Sequence, residues 1–232
     1  MIGKLKASML FFSGKARISY AQFGEDILVD HIFQHILLKK KITYLDIGTN
    51  DPVHGNNTYL FYRKGNFGVC VEPDPDLYKK ILSKRKNDLV LNAGIGIGNE
   101  KEGILYTFPQ PYTGWNTFSK EEALNRNKET GIAFRESNKI PFLEVNEVLQ
   151  KYYDPCPDFV SVDVEGLDLE ILKTLDFNRF QPYIFCVETI SFSADHKGHK
   201  NPDIIDFLLS KGYIVYADTY VNTIFIRKDI LN

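Results

Sequence analysis

The chain has few of the residues that staple or anchor a protein. Only three of its 232 residues are cysteine, so Cys70, Cys156 and Cys186 cannot all pair with one another. Cys70 and Cys186 stand inside apolar runs, where a reduced buried thiol is the ordinary state. No C-x-x-C pair and no His/Cys spacing suited to a structural metal occurs. Long apolar runs are absent as well. The N-terminal "MIGKLKASMLFFSGKARISY" has an apolar core of four residues, Met9 to Phe12, too short for a signal-peptide core or a membrane span. A cytoplasmic protein with no membrane span is the expectation. Neither sign of charge dominates, and the formal net charge of -2 argues against a nucleic-acid surface. Internal repeats, low-complexity tracts and a clear domain linker are missing too. What remains, 44% hydrophobic and 25% charged, is the composition of an ordinary folded core of about one large domain.

Seven short runs are rich in β-branched and aromatic residues: Ile42–Ile47, Gly68–Val71, Leu89–Leu91, Phe159–Val164, Tyr183–Val187, Tyr213–Tyr216 and Thr223–Ile226. Most are nearly continuous rather than alternating, as in strands covered on both faces. Helical patterns lie between them. "PDPDLYKKILSKRK" sets Leu77, Ile81 and Leu82 at helical spacing, and "NPDIIDFLLSKG" has a cap, an early proline and a closing glycine in the expected order. The alternation predicts a three-layer α/β fold with right-handed crossovers. Only about six residues around "ADTYVN" separate the last two runs, which suits a hairpin and leaves no room for a crossover helix. The sheet is therefore expected to be mostly parallel with an antiparallel last strand. Residues 1–40 read as an N-terminal helical extension and 41–232 as the α/β domain. Within it, 100–140 reads as a β-rich insertion with a surface helix or lid, or else as a solvated loop.

Ligands of such sheets bind at the carboxyl ends of the strands. "YLDIGTNDPVHGNNTYLFY" begins as a buried strand, turns at Gly48 and continues into a polar loop. Gly48 permits unusual backbone angles and close ligand approach. Asn57 or Thr58 is expected to cap the helix "NTYLFYRKG", whose N-terminus could receive a polar or anionic group. The second strand, "FGVCVEPDP", ends in Glu72, a residue type that accepts hydrogen bonds from ribose hydroxyls. Pyrophosphate is disfavoured because positions 50 and 53 are Asn and Val instead of the glycines of G-x-G-x-x-G. A G-x-x-x-x-G-K-[ST] loop is absent as well. A nucleoside without phosphates fits better, and S-adenosyl-L-methionine is the common one. The candidate cofactor contacts are Asp46, Gly48, Asn50, Glu72, Pro73, Asn92 and Asp163; Asp46 and Glu72 could instead only cap the turns that follow them.

The pieces "YAQFGEDILVDHIF", "YLDIGTNDP…NNTYLFYRKGNFGVCVEPDP", "FVSVDVEGLDLEILKTLDF" and "PYIFCVETI" together resemble the FkbM family of S-adenosylmethionine-dependent methyltransferases, over most of the chain from Tyr20 onward. The resemblance implies a class I (Rossmann-like) methyltransferase fold with a seven-stranded sheet. It also implies O-methylation of a hydroxyl on a sugar, glycan or related small molecule. Asn50 departs from the second glycine that many class I enzymes carry, which bears on the methionine-carboxylate contacts. Two other classes share part of the pattern: a non-catalytic nucleoside-binding protein, and a nicotinamide-dependent oxidoreductase, opposed by the missing glycines.

Methyl transfer to a hydroxyl needs the acceptor positioned and its proton removed. "SVDVEG" offers Asp163 and Glu165, whose spacing of two directs both to one side of a regular strand, and "CVETI" ends in Glu188. Asp163, Glu165 and Glu188 are the candidate catalytic carboxylates and the candidate ligands of a divalent cation such as Mg²⁺. The alternative is that Asp163 orients backbone amides and Glu165 caps the next helix. His54 is a candidate base, with His196 and His199 as weaker ones in a solvated loop. Asp51 and His54 on one wall, with Tyr112 and Trp115 on the other, are the candidate acceptor contacts. Phe118 extends that aromatic wall; packing of the insertion against the sheet is the plainer reading of these rings. Gln22, Glu25 and Asp26 of "QFGED" either fold over the pocket or cap the helix that follows.

Overall fold

The computed structural model describes residues 16–193 and 197–231. The apolar Met9–Phe12 stretch and His196 lie outside the described residues. One sheet has seven strands: β1 (Thr43–Ile47), β2 (Phe67–Val71), β3 (Leu89–Leu91), β7 (Phe159–Val162), β8 (Ile184–Glu188), β9 (Tyr213–Asp218) and β10 (Asn222–Arg227). Their order is β3-β2-β1-β7-β8-β10-β9, so the order reverses between β1 and β7. The first five are parallel, and β10 enters antiparallel between β8 and β9. A smaller sheet, β4-β6-β5, joins β4 (Gly94–Ile95), β5 (Glu102–Thr107) and β6 (Arg135–Leu143).

The helices in chain order are α1 (Glu25–His31), α2 (Tyr59–Arg63), α3 (Pro75–Lys84), α4 (Lys120–Thr130), α5 (Val145–Tyr152), α6 (Asp168–Thr174) and α7 (Pro202–Ser210). None is long and apolar enough to cross a membrane among the described residues. Helix α3 is capped by Asp74, whose Oδ1 accepts from Asp76 N and Leu77 N at 2.8 and 3.2 Å. Asn201 caps α7 through Asp203 N at 3.1 Å, and Ser119 caps α4 through Glu122 N at 3.2 Å.

Side-chain alternation sends the strands into two cores. Leu45, Ile47, Val160, Val162, Phe185 and Val187 pack with α5, α6 and α7 residues such as Leu149, Ile171 and Leu208. Tyr44, Phe159, Ile184 and Cys186 pack on the other face with Val29, Phe33 and Phe61. Asp46 falls on this second face, away from Ile47. There its Oδ2 meets Arg85, fully buried, at 3.6 Å, and accepts from Thr58 Oγ1 at 2.6 Å. Arg85 also donates from Nε to Asp88 Oδ2 at 2.6 Å, from NH1 to Asn56 Oδ1 at 3.1 Å and from NH2 to Thr58 Oγ1 at 2.8 Å. Asp88 in turn accepts from the Tyr44 hydroxyl at 2.7 Å and from Gly68 N at 2.9 Å. One guanidinium thus ties the end of α3 to the loop that follows β1.

Capping of α2 corrects an expectation. Neither Asn57 nor Thr58 caps it, because the Thr58 hydroxyl is committed to Asp46 and the Asn57 amide donates to Ser161 Oγ at 3.1 Å. Asn56 does so, its Oδ1 accepting from Thr58 N and Tyr59 N at 3.0 and 2.8 Å. The helix is five residues long, too short to offer an anion site.

Removing Arg85 while keeping its carboxylates should be costly. Arg85→Met leaves Asp46 and Asp88 buried without their cation, and we expect a loss of about 3–5 kcal/mol in urea unfolding. A loss under about 1 kcal/mol would show that the buried pair does not hold the fold.

Candidate active site

A cavity of about 260 Å³ opens at the carboxyl ends of β1, β2, β7 and β8, where the strand order reverses. On one side it is lined by Gly48, Asn50, Glu72, Pro73 and Ala93, and on the other by Trp115, Asp163, Glu165 and Glu188. His54 and Gln22 also line it, and His54 is exposed.

Close approach between strand ends sets the first wall. Gly48 has φ of +83°, and a Cβ there would lie 1.8 Å from the Asp163 carbonyl oxygen. Asn50, at φ of +53°, donates its backbone N–H to Glu72 Oε2 at 2.7 Å. Glu72 Oε1 accepts from Asp74 N at 2.8 Å. Burial pushes the Glu72 carboxyl up to about 8, against the pull of these two amides. The Asn50 side-chain Oδ1 is buried with no hydrogen-bond partner among the described residues, an orphaned acceptor on a cavity wall.

Register sets the second wall. Val162 pairs with Val187, so the next residues on these parallel strands, Asp163 and Glu188, come side by side. Glu165 arrives differently from the expected regular strand: β7 ends at Val162, and Glu165 turns in at φ of +60°. One carboxylate oxygen from each of Asp163, Glu165 and Glu188 lies within 4.8 Å of the others. Burial, followed by the neighbouring carboxylates, raises Asp163 and Glu188 well above the usual range. Burial lifts Glu165 to about 7 even though the Arg126 guanidinium opposes the rise. Arg126, only 1% exposed, donates from NH2 to Glu165 Oε2 at 2.9 Å and from NH1 to the Trp115 carbonyl at 2.6 Å.

Not every residue singled out in the sequence reaches the cavity. Asp46 is turned to Arg85 by strand alternation. Asn92 does not line the cavity; its amide holds the Glu72 and Pro73 carbonyls, both at 2.9 Å. Asp51 closes its own loop, Oδ1 accepting from Val53 N and His54 N at 2.9 and 2.8 Å. Tyr112 lies behind Trp115, its ring stacked at 4.5 Å, and only Trp115 faces the cavity. Phe118 lines it too, though packed edge-on against Phe142. His199 is exposed and lines no part of it. Gln22 reaches the wall, while Glu25 accepts from Thr219 Oγ1 and Asn222 Nδ2 at 2.7 and 3.0 Å and Asp26 accepts from Ser19 Oγ at 2.6 Å.

Two residues at the site carried no evident signal in the sequence. Arg126 sits mid-helix in α4, and only its spacing of four from Glu122 marks it. Asp168 places Oδ1 and Oδ2 on Val164 N and Gly166 N at 3.1 and 3.3 Å, the amide-orienting task that was the alternative reading of Asp163. Burial raises Asp168 to about 6.

Residues 46–215, more than half of the chain, match the model of the methyltransferase FkbM domain. The chain belongs to the FkbM methyltransferase family. It is accordingly a S-adenosylmethionine-dependent methyltransferase, which sets aside the oxidoreductase and the non-catalytic binder. Among solved structures it is similar to a TehB-like SAM-dependent methyltransferase from Corynebacterium glutamicum, at 10% identity over 97% of this chain and 96% of that one, with a TM-score of 0.43. It is also similar to a precorrin-6y C5,15-methyltransferase from Geobacter metallireducens, at 13% identity over 85% and 86% of the two chains, with a TM-score of 0.40. A third is the 1,6-didemethyltoxoflavin-N1-methyltransferase of Burkholderia thailandensis with bound S-adenosylhomocysteine, at 8% identity over 88% and 77%, with a TM-score of 0.41. No curated protein matches the sequence.

The methyltransferase's cavity depends on the contact at Gly48. Gly48→Ala forces a methyl group against the Asp163 carbonyl and should lower stability by about 1–3 kcal/mol in thermal or urea unfolding. An unchanged midpoint would mean that the β1 and β7 ends separate without cost.

Proposed function

We propose that this methyltransferase transfers a methyl group from S-adenosylmethionine to a hydroxyl of a sugar, glycan or related small molecule. The observation that carries the reading is the group of three carboxylates, Asp163, Glu165 and Glu188, with oxygens within 4.8 Å of one another in the cavity that also holds Glu72. The cofactor supplies an electrophilic methyl group. Glu72 accepts hydrogen bonds from its ribose hydroxyls, for which each carboxylate oxygen still has a lone pair beyond its backbone amide. The Asn50 side-chain oxygen is open to a donor on the same ligand. Asp163, whose proton affinity burial raises, accepts in its ionised form the proton of the acceptor hydroxyl as the methyl group leaves sulfur for oxygen, while Glu188 beside it faces the acceptor. Trp115 offers its face to the acceptor, braced by Tyr112 behind and by Phe108 and Phe192 edge-on at 5.8 and 5.1 Å.

A divalent cation such as Mg²⁺ is the alternative way to neutralise the cluster. Oxygens within 4.8 Å of one another can share a Ca²⁺, whose bonds of ~2.4 Å span up to ~4.8 Å, and would have to draw closer around Mg²⁺, whose bonds are ~2.1 Å. It would stabilise charge on the acceptor oxygen, but Glu165 would first have to leave Arg126. Incubation with S-adenosylmethionine and a panel of sugars, glycosides and glycans, read as S-adenosylhomocysteine formed, tests the function. Turnover only on amine or carbon nucleophiles would overturn O-methylation.

Two variants follow. Glu72→Gln should weaken S-adenosylhomocysteine binding by about 1–3 kcal/mol. Ribose donors favour the ionised carboxylate, so binding to the wild type releases a proton. Its affinity should therefore rise with pH up to about 8, the value in the cofactor-free protein, and level off above. Calorimetry across pH 6–9 checks this, and a pH-independent wild-type affinity removes Glu72 from the ribose. Trp115→Ala should raise the acceptor KM, by up to about 1–3 kcal/mol in binding, while leaving S-adenosylhomocysteine affinity nearly unchanged. An unfolded variant, or an unchanged KM, would make Trp115 a packing residue only.

A further inference from the structure

A second cavity, of about 410 Å³, adjoins the first. The two share a wall made of Glu165, Glu188, Ile190, Ser191 and Phe192. The partition is the Arg126–Glu165 ion pair, with the Phe192 ring 4.8 Å from the Arg126 guanidinium. The far side lies between α4 and α7 and is lined by Glu122, Asp168 and Asn201 among others.

The charges in this cavity do not balance. Among the described residues Arg126 is its single Lys or Arg, and Glu122 and Glu165 already share that guanidinium at 3.7 and 2.9 Å. Asp168 spends its oxygens on two backbone amides. Glu188, which borders both cavities, receives no hydrogen bond from a described residue. An independent feature also points to a ligand. Arg126, 99% buried by its 1% exposure, lines the cavity and keeps its Nε–H without a partner among the described residues. A ligand that satisfies both features carries a cation for Glu188 and a neutral oxygen for Arg126 Nε. A divalent ion supplies only the first and would stand beside a guanidinium that cannot move away, being fixed to the Trp115 carbonyl at 2.6 Å.

We propose that the acceptor is an amino sugar that spans the shared wall: its reacting hydroxyl stands in the first cavity beside Trp115, and its amino end enters the second, the ammonium group against Glu188 and a hydroxyl oxygen on Arg126 Nε. This rests on the sugar O-methylation proposed above and narrows its substrate class. The reacting hydroxyl then approaches the methyl group from the side opposite the sulfur, as in-line displacement requires.

The test uses the full chain saturated with S-adenosylhomocysteine at pH 7. Glucosamine, galactosamine and mannosamine are titrated by calorimetry beside their N-acetylated counterparts, glucose and MgCl₂. At least one amine should bind at least about tenfold more tightly than its N-acetylated form, the worth of one partly buried ion pair. Glu188→Gln should remove that preference, with S-adenosylhomocysteine binding as the check on folding. Amines that bind no better than their neutral forms, or Mg²⁺ binding with no amine binding, overturn the proposal. So does a preference that survives Glu188→Gln. Methyl transfer to neutral sugars without an amine preference would leave the O-methyltransferase reading standing and remove this one alone, whereas absence of S-adenosylhomocysteine binding would strike that reading first.

Discussion

Carboxylates crowded at one end of a sheet are the constraint on which this site depends. Asp163, Glu165, Asp168 and Glu188 meet within a few residues of two strand ends; two backbone amides answer Asp168, and among the described residues Arg126 is the one cationic side chain beside the rest. Burial makes ionisation costly, and each neighbour adds to the cost. Such an arrangement persists because the surrounding backbone fixes it: β7 and β8 are locked in register, and Glu165 is held in a left-handed turn. Stability is spent at a place where a proton acceptor beside a cofactor is needed.

The opposite face of the sheet carries the complementary solution. There a buried cation, Arg85, meets its carboxylates at hydrogen-bond distance and also reaches Asn56 and Thr58. The loop after Gly48 is consequently anchored from beneath, while its upper side, with Asn50 and His54, faces the cavity. The N-terminal segment adds a second anchor, the Tyr20 carbonyl accepting from Asn56 N at 2.9 Å. Two charge systems thus divide the work: one is satisfied and holds the loop, the other is incompletely satisfied and faces the ligand space.

The seven strands were legible because most are near-continuous apolar runs, and the final hairpin because its connection is too short for a helix. Glu72, Asp163 and Glu188 were legible as polar residues that end such runs. Asp46 stands near the end of a run too, yet it lies one position before the last strand residue, and period-two alternation turns it to the other face. Tyr112 and Asp51 were close in sequence to residues that do reach the cavity, but a stacked ring and a loop-closing carboxylate are decided by local geometry. Arg126 was out of reach for another reason. Its partners Trp115 and Glu165 are brought to it by the packing of α4 over the sheet ends, which no local pattern encodes.

A crystal structure of the protein with S-adenosylhomocysteine would test the central claim most directly. The account predicts the nucleoside in the cavity between Gly48 and Trp115, the ribose hydroxyls on Glu72, and the sulfur on the side of Asp163 and Glu188. A nucleoside bound elsewhere, or one in this cavity with its ribose turned away from Glu72 and its sulfur remote from the carboxylates, would contradict it.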